Sequence, residues 1–284
     1  MKKGLVMEGG GMRGLFTAGI IDVFMEEGVD FDGAVGVSAG ATFGCNIKSK
    51  QPGRAIRYNL KYCKDPRYGS FVSLILTGDM FETKWCYGTL PEKLDPMDFN
   101  TFAKNPMEFY CVATNAMTGD PVYKRLMTAR GEEMQWIRAS ASIPLVSRMV
   151  KIKDGYYCDG GSADSIPLKF FEGLGYEKNV VILTRDINYR KGPDKMAKLY
   201  PILLKKYPGA ASSLASRPEM YNEERDYVER KGREGKAFVI VPPEPITIKR
   251  MESDPEKLKY VYELGRKTAK QKLADIKAYL SDEG

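Results

Sequence analysis

Histidine is absent from this chain of 284 residues. A Ser-His-Asp triad needs an imidazole to accept the serine proton, so composition alone excludes that mechanism. If the chain carries a nucleophilic serine, the remaining bases are a lysine in a Ser-Lys pair or a carboxylate that bonds directly to the hydroxyl.

Cysteine is scarce, and long apolar runs are missing. The five cysteines are scattered without a C-x-x-C pair, which argues against a disulfide framework and against a zinc site. No apolar stretch approaches the roughly 18 residues that span a bilayer. Glu8 also interrupts the apolar start of the chain, so these residues predict a strand and not a signal peptide. From these absences we expect a soluble cytoplasmic protein.

Positive charge is in moderate excess, with 44 Lys and Arg residues against 37 Asp and Glu and a net charge of +7. This balance favours an anionic partner without choosing between a membrane surface and nucleic acid. Residues 188–209 interleave lysine with leucine and tyrosine, which suits a helix at a membrane interface. An ordinary solvated amphipathic face is the commoner origin of such a pattern.

Short apolar runs alternate with longer amphipathic ones in the first half of the chain, which predicts an α/β domain with a central, largely parallel sheet. Strands are predicted at 2–7, 31–37, 107–116, 121–126, 178–185 and 236–245, with a hairpin at 148–161 turning on Asp154-Gly155. Helices are predicted at 14–28, 39–50, 53–63 and 131–142. Charged helices at about 193–234 and 254–280 are expected to cover the sheet of a single domain, 1–284. Residues 64–107 have no clear pattern.

The glycine-rich segment at 9–14 follows the first strand and opens a helix. Its glycines match the dinucleotide-binding pattern G-x-G-x-x-G. In that fold an acidic residue stands at the carboxyl end of the second strand, whereas here Asp30 and Asp32 would lie at its amino end. The segment suits an oxyanion hole better, because bare backbone N–H groups can converge there on a developing negative charge. A plain turn that needs glycine for steric reasons is the third interpretation.

The sequence GVSAG at 36–40 has the form G-x-S-x-G, which places a serine on a sharp turn between a strand and a helix. Ser38 would then be exposed at the same sheet edge as the glycine loop, where open α/β folds bind ligands. Lys48 and Lys50 lie too far along the following helix to serve as its base. A carboxylate is therefore the better candidate.

Asp159 ends the second strand of the predicted hairpin and is followed by two glycines. The order of a glycine-rich loop, G-x-S-x-G and Asp-Gly-Gly resembles the patatin-like phospholipases. The segments RASASIP (138–144) and DSIPL (164–168) extend this resemblance, which runs from residue 1 to about 245. The segments LTRDINYRK (183–191) and SRPEMYNEE (216–224) resemble the bacterial patatin-like subgroup in particular.

The resemblance implies a three-layer α/β sandwich and a Ser-Asp dyad that hydrolyses lipid or phospholipid acyl esters. Ser38 would be the nucleophile and Asp159 the general base, without a metal or an organic cofactor. Backbone donors to the oxyanion would come from Gly9, Gly10, Gly11 and Met12. Arg13 would meet a lipid phosphate or brace the loop. The implied partners are a lipid or acyl-ester substrate and, peripherally, a membrane, with no nucleic acid.

Two other functions are compatible with the same residues. A non-catalytic lipid or acyl-carrier binding protein would keep the pocket without turnover, and a dinucleotide-dependent oxidoreductase would use Gly9, Gly11 and Gly14. The aromatic-rich stretch at 67–88 predicts an acyl-chain pocket or a lid, or ordinary core. Cys45 and Cys158 neighbour the motifs, but without an imidazole or a cationic cluster we expect them to be packing residues.

Overall fold

The computed structural model describes residues 1–281 and every side chain in that range except those of residues 71 and 72, so residues 282–284 of the expected domain lie outside it. The strands are β1 Lys2–Met7, β2 Gly33–Val37, β3 Glu108–Asn115, β4 Pro121–Leu126, β5 Val150–Ile152, β6 Gly155–Asp159, β7 Tyr176–Ile182 and β8 Ala237–Ile240. The α-helices are α1 Leu15–Glu26, α2 Ala39–Lys48, α3 Arg54–Tyr62, α4 Phe71–Thr77, α5 Phe99–Lys104, α6 Glu132–Ser140, α7 Leu168–Gly173, α8 Tyr200–Leu203, α9 Pro208–Arg233 and α10 Pro255–Leu280.

All eight strands belong to one sheet, with the order β5-β6-β3-β2-β1-β7-β8 and with β4 paired to β3. The centre of the sheet is parallel, from β3 through β2, β1 and β7 to β8. The β3-β4, β3-β6 and β5-β6 pairs are antiparallel. The predicted α/β class with a central, largely parallel sheet is confirmed.

Side chains of the central strands alternate between two separate cores, one on each face of the sheet. In β1, Leu5 and Met7 join the core that includes α1, α2 and α10, whereas Val6 joins the core that includes α9. The same alternation places Val180 and Val181 of β7 in different cores. A strand buried on both faces has no polar face, which is why these runs are continuously apolar. The result is a helix–sheet–helix arrangement of three layers.

Strand β3 carries two partners along a single edge. Its residues 108–112 pair with β2, and its residues 113–115 pair with β6. Strand β4 pairs with residues 109–114 and therefore occupies the whole opposite edge of β3. Strand β6 must then lie on the same edge as β2, beyond the point where β2 ends. Val37 is opposite Val112 and Asp159 is opposite Ala113, so the last residues of β2 and β6 meet at adjacent positions of β3.

Three segments differ from the sequence prediction. The pair Ile152–Gly155 closes the hairpin, so its turn consists of Lys153 and Asp154 instead of Asp154 and Gly155. The positive φ, 51°, belongs to Lys153. In the first part of the predicted helical region 193–234, residues 193–206, the structure has only a short 3-10 turn and the four residues of α8. Residues 64–107 contain α4, α5 and a π-helix, Trp85–Leu94, that accommodates Pro91. Proline prevents a regular α-helix there, which explains the missing periodicity.

Helices α9 and α10 lie on opposite faces of the sheet. Helix α10 packs along α1, where the Tyr262 hydroxyl donates to Asp22 at 2.7 Å and burial raises the pKa of Asp22 to about 6. Helix α9 contributes Arg225, whose side chain is fully buried and donates to the carbonyls of Asp186 and Ile187. Within residues 1–281, each helix is too short or too polar to span a bilayer.

Replacing Arg225 with alanine should lower the free energy of unfolding by about 3 kcal/mol, because loss of a buried charged partner leaves its acceptors unsatisfied. Urea denaturation followed by circular dichroism measures the change. The exposed Arg233→Ala on the same helix is the control and should change stability by less than about 0.5 kcal/mol. Equal stabilities of the two variants would contradict this role of Arg225.

Candidate active site

Ser38 lies on the sharp turn between β2 and α2, with φ 54° and ψ −118°. Positive φ is unfavourable for a residue with a side chain, so the surrounding packing must hold this conformation. The Ser38 N–H donates to Oγ of Ser140 at 2.9 Å. The side chain is 8% exposed. This is the strained strand-to-helix geometry that G-x-S-x-G predicts.

The glycine-rich loop lies directly against this turn. A Cβ on Gly9 would lie 2.9 Å from Cβ of Ser38, and a Cβ on Gly40 would lie 2.3 Å from the carbonyl oxygen of Met7. Both positions therefore need glycine for close approach. The N–H groups of Gly9, Gly10 and Gly11 have no acceptor among the described residues. The N–H of Met12, expected as a further donor, already donates to the carbonyl of Arg250 at 3.0 Å.

Asp159 is the last residue of β6 and is 4% exposed. Its Oδ1 accepts the N–H of Gly161 at 2.8 Å, and its carbonyl accepts the hydroxyl of Thr114 at 2.8 Å. Its N–H donates to the carbonyl of Ser142 at 2.8 Å. The two lysines near Ser38 in sequence are engaged elsewhere: Lys48 donates to the carbonyl of Met107, and Lys50 pairs with Asp30.

The end of α6 connects the turn at Ser38 to Asp159. Ser140 accepts the N–H of Ser38, and Ser142 accepts the N–H of Asp159. Sequence reasoning used these serines only as part of the segment RASASIP and assigned them no role. Their alternation with alanine at a helix end was the available signal. It gave no indication of which backbone groups they would meet.

Two cavities meet at Ser38. Both are bordered by Gly11, Ser38, Ile143 and Arg250. The first cavity is apolar, and its other lining residues include Phe43, Tyr58, Tyr68, Phe81, Tyr87, Leu90, Met97, Met134 and Ile137. Tyr68, Phe81 and Tyr87 come from the stretch at 67–88, and of these Tyr68 belongs to the core while Phe81 and Tyr87 pack against it. The pocket and the core interpretations of that stretch therefore both describe these side chains.

The second cavity, here called the cationic cavity, contains both Ser38 and Asp159. Its basic lining residues are Arg13, Arg185, Lys191, Arg217 and Arg250. Its carboxylates are Asp159 and Glu8, and Glu8 already accepts the Tyr221 hydroxyl at 2.8 Å and the Thr184 N–H at 2.6 Å. Of the five basic residues, only Arg13 was a candidate site residue from the sequence, because no local pattern indicates that the other four meet it.

Burial and crowding lower the pKa of three of these bases, and for Arg250 burial is the largest cause, followed by Arg217. Burial, with Arg185 as the next contribution, lowers the pKa of Arg13 to about 10. Burial, with Arg217 as the next contribution, lowers the pKa of Lys191 to about 7. The Lys191 amine lies 3.8 Å from the ring centre of Tyr221. An anion in the cavity would relieve this mutual repulsion.

The carboxylates considered for a dinucleotide site lie elsewhere. Asp32 precedes β2 and accepts the N–H of Lys3 near the start of β1, at 2.7 Å. Asp30 pairs with Lys50. Both are at the amino end of β2, whereas Ser38 and the glycine loop follow the carboxyl ends of their strands.

Comparison with known proteins gives two family matches. A sequence model described as patatin-like phospholipase matches residues 5–171. A second one, described as a domain of unknown function, matches residues 207–281.

Individual relatives are more distant. The chain is 28% identical over 288 residues to the uncharacterized protein YjjU of Escherichia coli K12, an alignment that covers 98% of this chain and 79% of YjjU. It is 27% identical over 177 residues to the lysophospholipase nte1 of Aspergillus fumigatus, covering 61% of this chain and 11% of that protein. Among solved structures, VipD from Legionella pneumophila aligns with a TM-score of 0.47 and 14% identity, covering 96% of this chain and 67% of VipD.

The lowered pKa of Lys191 predicts unusual reactivity toward cyanate, which modifies neutral amines. The rate at Lys191 should level off above about pH 7 to 8, whereas the rate at an exposed lysine with an ordinary pKa near 10.4 should keep rising toward pH 10. Peptide mass spectrometry after timed reaction measures both rates, with exposed Lys259 as the internal reference. Parallel pH profiles for the two lysines would show that the pKa of Lys191 is not lowered.

Proposed function

Because the chain belongs to the patatin-like phospholipase family, we propose that it hydrolyses acyl esters of lipids, with Ser38 as nucleophile and Asp159 as general base. The observation that carries this proposal is the meeting of β2 and β6 on one edge of β3, which brings the ends of both strands into a common cavity. The strained backbone of Ser38 and the absence of histidine support the same assignment.

The reaction proceeds in two halves. Ser38 Oγ attacks the ester carbonyl while its proton passes to the Asp159 carboxylate. The tetrahedral intermediate collapses, the bond to the alcohol oxygen breaks, and Asp159 returns the proton to the leaving alcohol. Water then attacks the acyl-enzyme and gives a proton to Asp159, and that proton returns to Ser38 Oγ as the fatty acid leaves.

The glycine loop supplies the oxyanion hole in this proposal. The N–H groups of Gly9, Gly10 and Gly11 have no acceptor among the described residues, and Gly9 is in contact with Ser38. One donor of this kind typically contributes about 3 to 4 kcal/mol to transition-state stabilisation. The Met12 N–H supports the loop through Arg250 instead of facing the oxyanion.

The apolar cavity takes the acyl chain. It opens at Ser38 and is lined almost entirely by aromatic and aliphatic side chains. Burial contributes about 0.8 kcal/mol for each methylene group, so affinity should increase with chain length until the cavity is filled.

Replacing Ser38 with alanine or Asp159 with asparagine should lower kcat for a p-nitrophenyl ester at least about a thousandfold, since each change removes one member of the dyad. A fluorophosphonate probe should label Ser38 in the parent protein and should leave Ser38→Ala unlabelled. Mass spectrometry identifies the labelled peptide.

Matched controls for these variants are the exposed Ser212→Ala and the exposed hairpin variant Asp154→Asn, which should keep parental activity. Full esterase activity in folded Ser38→Ala would end the proposal. Activity lost in Ser38→Ala but kept in Asp159→Asn would assign the base to another residue.

We also propose a peripheral membrane contact through residues 195–206. This segment exposes Ile202 and Leu203, which are 70% and 51% accessible, and its lysines at 195, 198, 205 and 206 are also exposed. Apolar side chains among lysines match the interface of an anionic bilayer. Leu204 of the same segment packs in one cluster with Cys158 and Leu214, so the contact lies close to the cationic cavity.

The double variant Ile202→Asp, Leu203→Asp should lower binding to phosphatidylglycerol vesicles at least about tenfold, because each buried aliphatic side chain contributes about 1.5 to 3 kcal/mol. Sedimentation with vesicles measures binding. Ile75→Asp is the comparison, since Ile75 is 81% exposed on α4. If Ile75→Asp abolishes binding and the double variant does not, the membrane contact lies on α4 and the proposal is wrong.

A further inference from the structure

We infer that the cationic cavity binds a phosphate monoester, so that the preferred substrate is an acyl ester whose head group ends in a phosphomonoester. The catalytic part of this inference rests on the proposed function, whereas the binding part stands on the cavity alone. Its basis is a group of five basic side chains beside Ser38 that outnumbers the two carboxylates lining the same cavity.

Most of the described arginines outside this cavity have a carboxylate partner, whereas those of the cavity do not. Arg57, Arg190 and Arg266 each donate to a carboxylate at 3.0 Å or less. Within residues 1–281, none of the five basic residues of the cationic cavity has a carboxylate oxygen within 4 Å.

The basic side chains of the cavity contact aromatic rings and a backbone carbonyl, and these neutral groups do not cancel the positive charge. Arg185 lies 4.3 Å from the ring centre of Tyr189, and Lys191 lies over Tyr221. Arg217 donates through Nε to the carbonyl of Gly161. Nε of Arg13 is buried and has no hydrogen-bond partner among the described residues. Buried donors without acceptors cost folding free energy unless a ligand satisfies them.

The two carboxylates of the cavity offset only part of this charge. Glu8 accepts from Tyr221 and Thr184 and keeps its own negative charge, and Asp159 is the only other carboxylate among the described lining residues, so positive charge remains in excess. A phosphomonoester carries a charge of about −1.5 to −2 at neutral pH and has three acceptor oxygens. Arginines bind such a group through paired, charge-assisted hydrogen bonds.

Other head groups fit this lining less well. A phosphocholine head adds a quaternary ammonium, which would have to lie among four arginines and a lysine. An uncharged glycerol head would leave the cations without a counterion.

Because the cationic cavity lies beside Ser38, a head group bound there would influence which esters are hydrolysed. Gly11, Ser38, Ile143 and Arg250 border both cavities, so an ester held at Ser38 can extend its chain into the apolar side and its head into the cationic side. Lys191 and Arg185 belong to the loop after β7, whereas Ser38 and Asp159 follow β2 and end β6. The two basic residues can therefore be replaced without changing either member of the proposed dyad.

The binding experiment titrates the full chain with glycerol 3-phosphate, inorganic phosphate and glycerol by calorimetry. Glycerol 3-phosphate should bind and glycerol should not. Lys191→Met and Arg185→Met should each weaken the binding of glycerol 3-phosphate at least about tenfold, because each variant loses one charged hydrogen-bonding partner. Lys191→Arg keeps the charge and should retain binding, and the exposed Lys259→Met is the control.

The kinetic experiment compares three esters with the same acyl chain: 1-acylglycerol 3-phosphate, 1-acylglycerophosphocholine and monoacylglycerol. The value of kcat/KM should be at least about tenfold higher for the phosphomonoester than for the other two. In Lys191→Met and Arg185→Met this ratio should fall toward one. In Lys259→Met the ratio should keep its parental value.

The outcomes separate the two proposals. Binding of glycerol 3-phosphate that depends on Lys191, without hydrolysis of any ester, refutes the hydrolase function and leaves the binding site. Hydrolysis without head-group preference and without binding refutes the phosphomonoester site and leaves the hydrolase. Tighter binding of inorganic phosphate than of glycerol 3-phosphate, with no kinetic preference, assigns the cavity to free phosphate and overturns the substrate inference.

Discussion

The candidate site depends on β3 holding two strands of opposite direction along one edge. Strand β2 runs parallel to β3 and stops opposite Val112, and β6 runs antiparallel and stops opposite Ala113. Because they approach from opposite ends, their last residues meet although more than a hundred positions separate them in sequence. Backbone hydrogen bonds therefore set the spacing of Ser38 and Asp159, and the end of α6 reinforces it through Ser140 and Ser142.

The surroundings of Ser38, the proposed nucleophile, are a cluster of basic side chains. Burial is the main cause of the lowered pKa values of Arg13 and Lys191, and repulsion from neighbouring arginines is the next. Such a cluster lowers stability, and chains retain unfavourable arrangements of this kind mainly where a ligand or a reaction uses them. The fully buried Arg225 binds the carbonyls of the loop that carries Arg185, so part of α9 serves to hold the cluster in place.

Short sequence motifs were sufficient to predict those residues of the candidate site that lie at a turn or at the end of a strand. Gly9, Ser38 and Asp159 each lie in a short motif, and the alternation of short apolar runs with longer amphipathic ones indicated the sheet. For the basic residues of the cavity, Arg185 and Lys191 among them, no local pattern indicated that they would meet, because their meeting is a property of tertiary packing. Residues 64–107 could not be assigned, since the π-helix around Pro91 has no α-helical period. Whether the whole chain folds as one domain stays a prediction.

The two cavities bordering Ser38 would act on a bound ester in different ways. Burial of an acyl chain is non-directional and allows the chain to slide, because each methylene contributes about the same 0.8 kcal/mol wherever it lies. Charge-assisted hydrogen bonds to a head group fix both position and direction. In an ester held at both ends, both sides would contribute to affinity, but only the cationic side would fix which carbonyl reaches Ser38. Positional selectivity would then follow from the distance between Arg185, Lys191 and the serine, and not from the shape of the acyl pocket.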